Sequence, residues 1–257
     1  MGKIISFANQ KGGVGKTTTA VSVAACLGAK GKQVLLVDID PQGNATSGMG
    51  VNKRQVTVST YDLLVMDETP LENVIQKTAY QNVDILPSNM RLAGAEIELV
   101  DLDDRTNRLK QALLPVKDRY SYIIIDCPPS LGLITLNALT ASDSILIPIQ
   151  CEYYALEGLS QLMSTMRQVK RLYNPAIEIE GVLFTMYDGR LNLTTQVVEE
   201  VKKYFPKKVF KTVIPRNVKI SEAPSFGKPV YYYDRYSKGS ISYSELTNEI
   251  IQNNKEV

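Results

Sequence analysis

Short apolar runs rich in Ile and Val alternate along the chain with helix-like segments. That alternation predicts an α/β fold built on a doubly wound, mostly parallel sheet flanked by helices. Two further observations agree. KIISFA (3–8), QVLLVDID (33–40), YSYIIID (120–126) and SILIPIQ (144–150) are nearly continuous in apolar residues, as strands buried on both faces must be. A glycine-rich loop also joins the first run to the first helix-like segment, the place where such folds hold anionic ligands.

The elements follow in order. KIISFA passes through that loop into TTTAVSVAACLGAKG (17–31), a helix of small residues ending near Gly31. QVLLVDID runs into PQGN (41–44), a turn by its Pro, Gly and Asn. Residues 52–118 are less regular and more charged, and are expected to form a helical insertion with one edge strand, NVDILPS (82–88). Helix-like SLGLITLNALTAS (130–142) separates the next two strands, and an amphipathic helix is expected over about 153–172. IEIEGVLFTMYD (177–188) and VFKTVIP (209–215) read as strands around the helix-like LTTQVVEEVKKYF (193–205), with a last helix from near Ser240. No low-complexity linker or internal repeat divides the 257 residues, so one domain over 1–257 is expected.

Composition narrows the chemistry. There is no histidine, which removes Ser-His-Asp and Cys-His catalysis and every imidazole metal site. The three cysteines, Cys26, Cys127 and Cys151, are odd in number and lack a pairing motif, so buried free thiols are expected. No apolar run reaches membrane-spanning length and MGKIISFANQ lacks the parts of a signal peptide, which predicts a cytoplasmic protein. Net charge is +2 but uneven: residues 160–240 hold 14 Lys/Arg against 7 Asp/Glu, leaving 15 basic and 20 acidic residues elsewhere. A basic C-terminal third on a nearly neutral protein points to a polyanionic partner.

The loop NQKGGVGKTT (9–18) is a phosphate-binding loop with an irregular start. The common pattern G-x-x-x-x-G-K-[ST] places its first glycine at position 10, which is Gln10 here, and a second lysine, Lys11, follows. Gly12, Gly13 and Gly15 let backbone N–H groups turn toward an anion, and Val14, Lys16, Thr17 and Thr18 complete the cradle. Lys16 supplies charge for the β- and γ-phosphates, and the Thr17 hydroxyl can ligate Mg²⁺. Asp38 and Asp40 end one strand and Asp126 ends another, so a parallel sheet brings all three to the edge that carries the loop. Asp126 stands where a carboxylate near Mg²⁺ belongs. For one aspartate, capping or turn formation would be an equal explanation; three on one edge favour a site.

KGGVGKTT (11–18), VDIDPQGNAT (37–46), IIIDCPPSLG (123–132), QCEYYALEGL (150–159) and VIPRNVKISEAPSFGKP (213–229), in this order and spacing, resemble the ParA/Soj family of DNA-partitioning ATPases. The resemblance runs from residue 1 to about 250 and is to the short chromosomal type, which lacks an N-terminal helix-turn-helix. It implies a P-loop NTPase fold and a weak Mg²⁺-dependent ATPase. It also implies a role for Lys11, as the signature lysine that reaches the nucleotide of a sister subunit in an ATP-dependent homodimer. Asp40 would then orient the attacking water, and Asp126 would hold Mg²⁺ through a water, with Asp38 in the same switch segment and a candidate for the metal. Pro215 and Asn217 would contact adenine, although a strand-to-helix turn explains a Pro and an Asn equally, and Glu152 would reach the ribose. Arg190 and Lys219 fall at the family's nonspecific DNA contacts, so nucleoid association and release by a ParB-like centromere-binding protein are expected.

Two rivals share the deviant loop. A membrane-cycling ATPase of the MinD type would carry a basic amphipathic C-terminus, whereas SISYSELTNEIIQNNKEV (240–257) has three glutamates and one lysine. A metabolic ATP-dependent ligase or amidase would need a polar cluster beyond the nucleotide, and the sequence offers none. No membrane partner is expected.

Overall fold

The computed structural model describes residues 2–255 apart from 68, 153 and 154. Seven strands form one sheet: β1 (Lys3–Phe7), β2 (Val34–Asp38), β3 (Gln76–Lys77), β4 (Val83–Leu86), β5 (Tyr122–Asp126), β6 (Ser144–Gln150) and β7 (Glu178–Thr185). Their order is β3-β4-β2-β5-β1-β6-β7, and every pairing is parallel except β3 with β4. The helices are α1 (Lys16–Ala29), α2 (Asn44–Gly48), α3 (Thr60–Val65), α4 (Leu92–Glu98), α5 (Arg108–Leu113), α6 (Leu133–Ala141), α7 (Ala155–Leu172), α8 (Asn192–Tyr204), α9 (Val218–Glu222), α10 (Val230–Tyr233) and α11 (Lys238–Asn253). The first two residues of the helix expected over 153–172 lie outside the described residues.

The apolar runs are continuous because the sheet is covered twice. Alternate residues of one strand enter different cores: Ile123 and Ile125 of β5 join the core under α3 to α8, while Tyr122 and Ile124 join the core under α1 and α11. β5 lies between β1 and β2 in matched register, with Asp126 opposite both Phe7 and Asp38. The carboxyl ends of these three strands therefore open onto one edge.

Two expectations need correction. NVDILPS is not the edge strand, since β3 pairs outside it and β4 lies next to β2. The segment 209–215 forms no strand either, making only isolated bridges from Val209 to Val182 and from Pro215 to Tyr187. Between those bridges the Glu249 carboxylate accepts from the backbone N–H groups of Lys211 and Thr212, at 2.8 and 3.1 Å. Those donors are thereby spent on α11 instead of on a β-ladder. All three cysteines are buried free thiols, as composition suggested.

Candidate nucleotide site

The loop after β1 wraps the N-terminus of α1 with its donors outward. Gly13 and Gly15 adopt φ of 73° and 82°, a left-handed geometry that glycine enters without a Cβ penalty. A Cβ built on Gly12 or Gly13 would meet nothing within 4 Å, so the space beside these two residues is open. The loop is braced from behind. Thr185 Oγ1 donates to the Val14 carbonyl at 2.8 Å, and Asn9 bridges from Pro148 O (2.8 Å) to Lys11 N (3.0 Å). Lys16 folds over the loop and donates from Nζ to Lys11 O at 3.0 Å. Burial lowers its pKa, and the Asp126 carboxylate opposes that shift.

The three aspartates converge, with different tasks. Asp38 is fully buried: Oδ2 accepts from Thr46 N and Thr46 Oγ1 at 2.7 Å each, and Oδ1 from Asp40 N at 3.1 Å. Both oxygens thus accept hydrogen bonds from the segment after β2, so Asp38 holds that segment in place. Burial pushes its carboxyl up to about 6 despite those hydrogen bonds. Asp40 is positioned by its backbone, whose carbonyl accepts from Ser88 Oγ at 2.7 Å, while its carboxylate accepts from Gln42 N at 2.9 Å. Asp126 is fully buried, and among the described residues neither of its oxygens has a hydrogen-bond partner. The Thr17 hydroxyl is near enough to favour the carboxylate but falls short of hydrogen-bond geometry. Burial, then the charge of Asp38, raises the Asp126 carboxyl well above its usual range.

An unpartnered buried carboxylate beside a threonine hydroxyl and a phosphate loop fits a divalent cation. Among the described residues no group of three His, Cys, Asp or Glu side chains could hold a metal alone. The donor set therefore suits an ion shared with phosphate oxygens, as Mg²⁺ commonly is.

Lys11 goes elsewhere. Its ammonium meets Glu152 Oε2 at 2.6 Å on the rim of the site, so the loop's two lysines serve separate places. Glu152 does not line the cleft of about 460 Å³ that Gly15, Thr18, Thr185, Pro215, Asn217 and Tyr243 help to form. Pro215 and Asn217 do line it, together with Gly15 and Thr18 of the loop. Asn217 also caps α9, accepting from Lys219 N at 3.0 Å, so the turn explanation holds alongside the ligand one. Arg190 lies on the turn after β7 and Lys219 in α9, and the bridge from Tyr187 to Pro215 joins the two segments that carry them.

Sequence reasoning missed the supporting residues Asn9, Thr46, Ser88 and Thr185. Asn9 lies inside the quoted NQKGGVGKTT and Thr46 inside VDIDPQGNAT, so their places in those motifs were the available signals. Ser88 and Thr185 reach the site only through the sheet.

Loop, strand order and converging carboxylates define a P-loop nucleoside triphosphatase with a doubled lysine. A family model described as an AAA domain matches residues 2–179. The chain is 61% identical over 253 residues to the sporulation initiation inhibitor protein Soj of Bacillus subtilis (strain 168), covering 98% of this chain and all of that one. It is 53% identical to the chromosome partitioning protein ParA of Myxococcus xanthus (strain DK1622), covering 98% and 89% of the two chains. The crystal structure of cobyrinic acid a,c-diamide synthase from Mycobacterium smegmatis, with bound ATP analog and magnesium, is similar at a TM-score of 0.86 and 36% identity, covering 99% and 96%. The chain belongs to the ParA/Soj family of chromosome-partitioning ATPases.

Proposed function

We infer that this ATPase is a timed switch for DNA segregation, whose ATP-bound homodimer binds DNA without regard to sequence. The observation that carries the reading is the separation of the two lysines, Lys16 over its own loop and Lys11 on the rim. A lysine on the rim can serve a nucleotide held by a second subunit, which supports the reading. A γ-phosphate then adds contacts across the interface that ADP lacks, so dimerisation reports which nucleotide is bound.

Within one protomer, loop amides and Lys16 bind the phosphates, Pro215 and Asn217 receive the base, and Asp40 orients the attacking water. Thr17 directly, and Asp126 through a water, would hold Mg²⁺, which when bound supplies neutralisation of phosphate charge. Glu152 must release Lys11 for that lysine to cross the interface, and is then free to approach a ribose. Arg190 and Lys219 contact DNA phosphates, which confers nucleoid association, and a ParB-like protein at a centromere-like site stimulates hydrolysis and release.

Light scattering with ATP or ADP tests the first step. Wild type should dimerise with ATP only, and Lys11→Ala should stay monomeric in both. ATP-dependent dimerisation of Lys11→Ala would overturn the reading. A membrane-cycling alternative finds little support in α11, whose apolar residues Tyr243, Leu246 and Ile250 are buried in the core that α1 shares while Ile241 is exposed.

A further inference from the structure

The two cations placed for phosphate contact are already engaged. Arg190 folds back onto Asp188, its Nε and Nη2 donating to the two carboxylate oxygens at 2.8 and 2.6 Å. Its backbone N–H donates to the same carboxylate at 3.1 Å, so the turn itself keeps the acid in place. Lys219 Nζ donates to Glu222 at 3.0 Å, and the same Glu222 oxygen accepts from the Tyr233 hydroxyl at 3.0 Å. Lys219 also lies over the Tyr233 ring, 5.6 Å from its centroid.

Stability does not account for these pairs. The Arg190 side chain is 88% exposed and that of Lys219 43%, conditions under which an ion pair contributes little to folding. Nor do the pairs titrate away. Hydrogen bonds from Arg190 hold the Asp188 carboxyl down at about 2, with Arg216 adding a smaller pull, and Lys219 lowers that of Glu222. The turn that carries the first pair is joined to the segment that leads to the second, because Tyr187 N–H donates to Ile214 O at 2.9 Å just before α9.

We propose that Asp188 and Glu222 act as built-in phosphate mimics that mask Arg190 and Lys219, keeping the DNA affinity of one protomer low so that dimerisation decides binding. The proposal rests on the DNA-contact role given above to those two cations. Its chemistry is competition: carboxylate and phosphate oxygens seek the same N–H donors, and a duplex must both displace the acid and approach its charge. In a dimer the contacts of the second protomer form at high effective concentration, so two weak sites become one useful one. Unmasked cations would hold DNA in every nucleotide state and erase the switch.

Binding to a random-sequence duplex, followed by fluorescence anisotropy without nucleotide, with ADP and with ATP, tests this on the full chain. Asp188→Asn and Glu222→Gln should each tighten ATP-state binding about three- to tenfold, the range expected for one nearby like charge removed. The double variant should bind measurably without ATP. Asp103→Asn, an exposed acid between α4 and α5, removes the same charge elsewhere and should change little. In an Arg190→Ala background, Asp188→Asn should recover only a small part of its gain. Unchanged or weaker binding by the two variants would overturn the mask, weaker binding showing that the acids position the cations. An equal gain from Asp103→Asn, or a full gain without Arg190, would also overturn it. If the wild type ignores DNA with ATP, the DNA reading itself fails and the mask with it.

Discussion

Asp126 weighs on the fold. Its carboxylate is buried beside Asp38 with no partner among the described residues, and such a group costs about 1–3 kcal/mol when left unsatisfied. Both carboxyls have raised pKa values, so the native state binds more protons than the unfolded chain and stability falls as pH rises. For Asp38 the window runs from the ordinary 3.8 to about 6. The nucleotide-free, Mg²⁺-free Asp126→Asn protein should melt a few degrees higher than wild type at pH 7, with the difference shrinking toward pH 4. Melting temperatures of both proteins across that range check this, and a lower-melting variant at pH 7 would refute it. Asp40 makes no comparable demand on the fold, its carboxylate accepting from Gln42 N. Asp40→Ala should therefore keep ATP-dependent dimerisation while hydrolysis drops about 10²-fold or more, read by phosphate release.

Helix α1 shows how an element is held at a set height over the sheet. A Cβ on Gly28 would lie 2.3 Å from the Gln81 carbonyl and 2.5 Å from a Val83 methyl, closer than packed atoms approach. Gly28→Ala should therefore force α1 away from β4, at about 1–3 kcal/mol, or a melting temperature lower by about 2–4 °C per kcal/mol. Because α1 carries Lys16 and Thr17 at its N-terminus, nucleotide affinity should weaken as well, measured by titration with a fluorescent ATP analogue. On the opposite face, Glu96 accepts from Leu133 N and Ile134 N at 2.8 and 3.3 Å, capping α6 directly after the Asp126 loop. The insertion over 52–118 is thus part of the site's scaffold, which its uneven sequence did not announce.

For the assembled protein, charge distribution governs the partner. DNA affinity should fall steeply with salt, because each phosphate contact formed releases counterions and steepens the log–log slope by about 0.9. Arg190→Ala should weaken binding for all sequences alike and flatten that slope by about two in a dimer, one contact per protomer. A slope unchanged by the substitution would remove Arg190 from the interface. The sheet edge that binds nucleotide and the edge that carries Arg190 are joined through β7, Thr185 bracing the loop two residues before the Tyr187 bridge.

The phosphate loop, the strand-ending aspartates and the doubled lysine were legible in the chain because each is a local arrangement. A glycine-rich turn between strand and helix fixes backbone donors within ten residues, and apolar runs declare a sheet buried on both faces. The partners of those groups were not legible. Thr46 on Asp38, Glu152 on Lys11, Glu249 on the 211–212 backbone and Ser88 behind Asp40 all depend on which segments the sheet order makes neighbours. Hydrogen bonds and ion pairs form over about 3 Å, whereas these pairs are separated by 8 to 141 residues of chain. Local chemistry therefore named the reaction, and tertiary contact decided which carboxylate is free, which is committed, and where the second lysine waits.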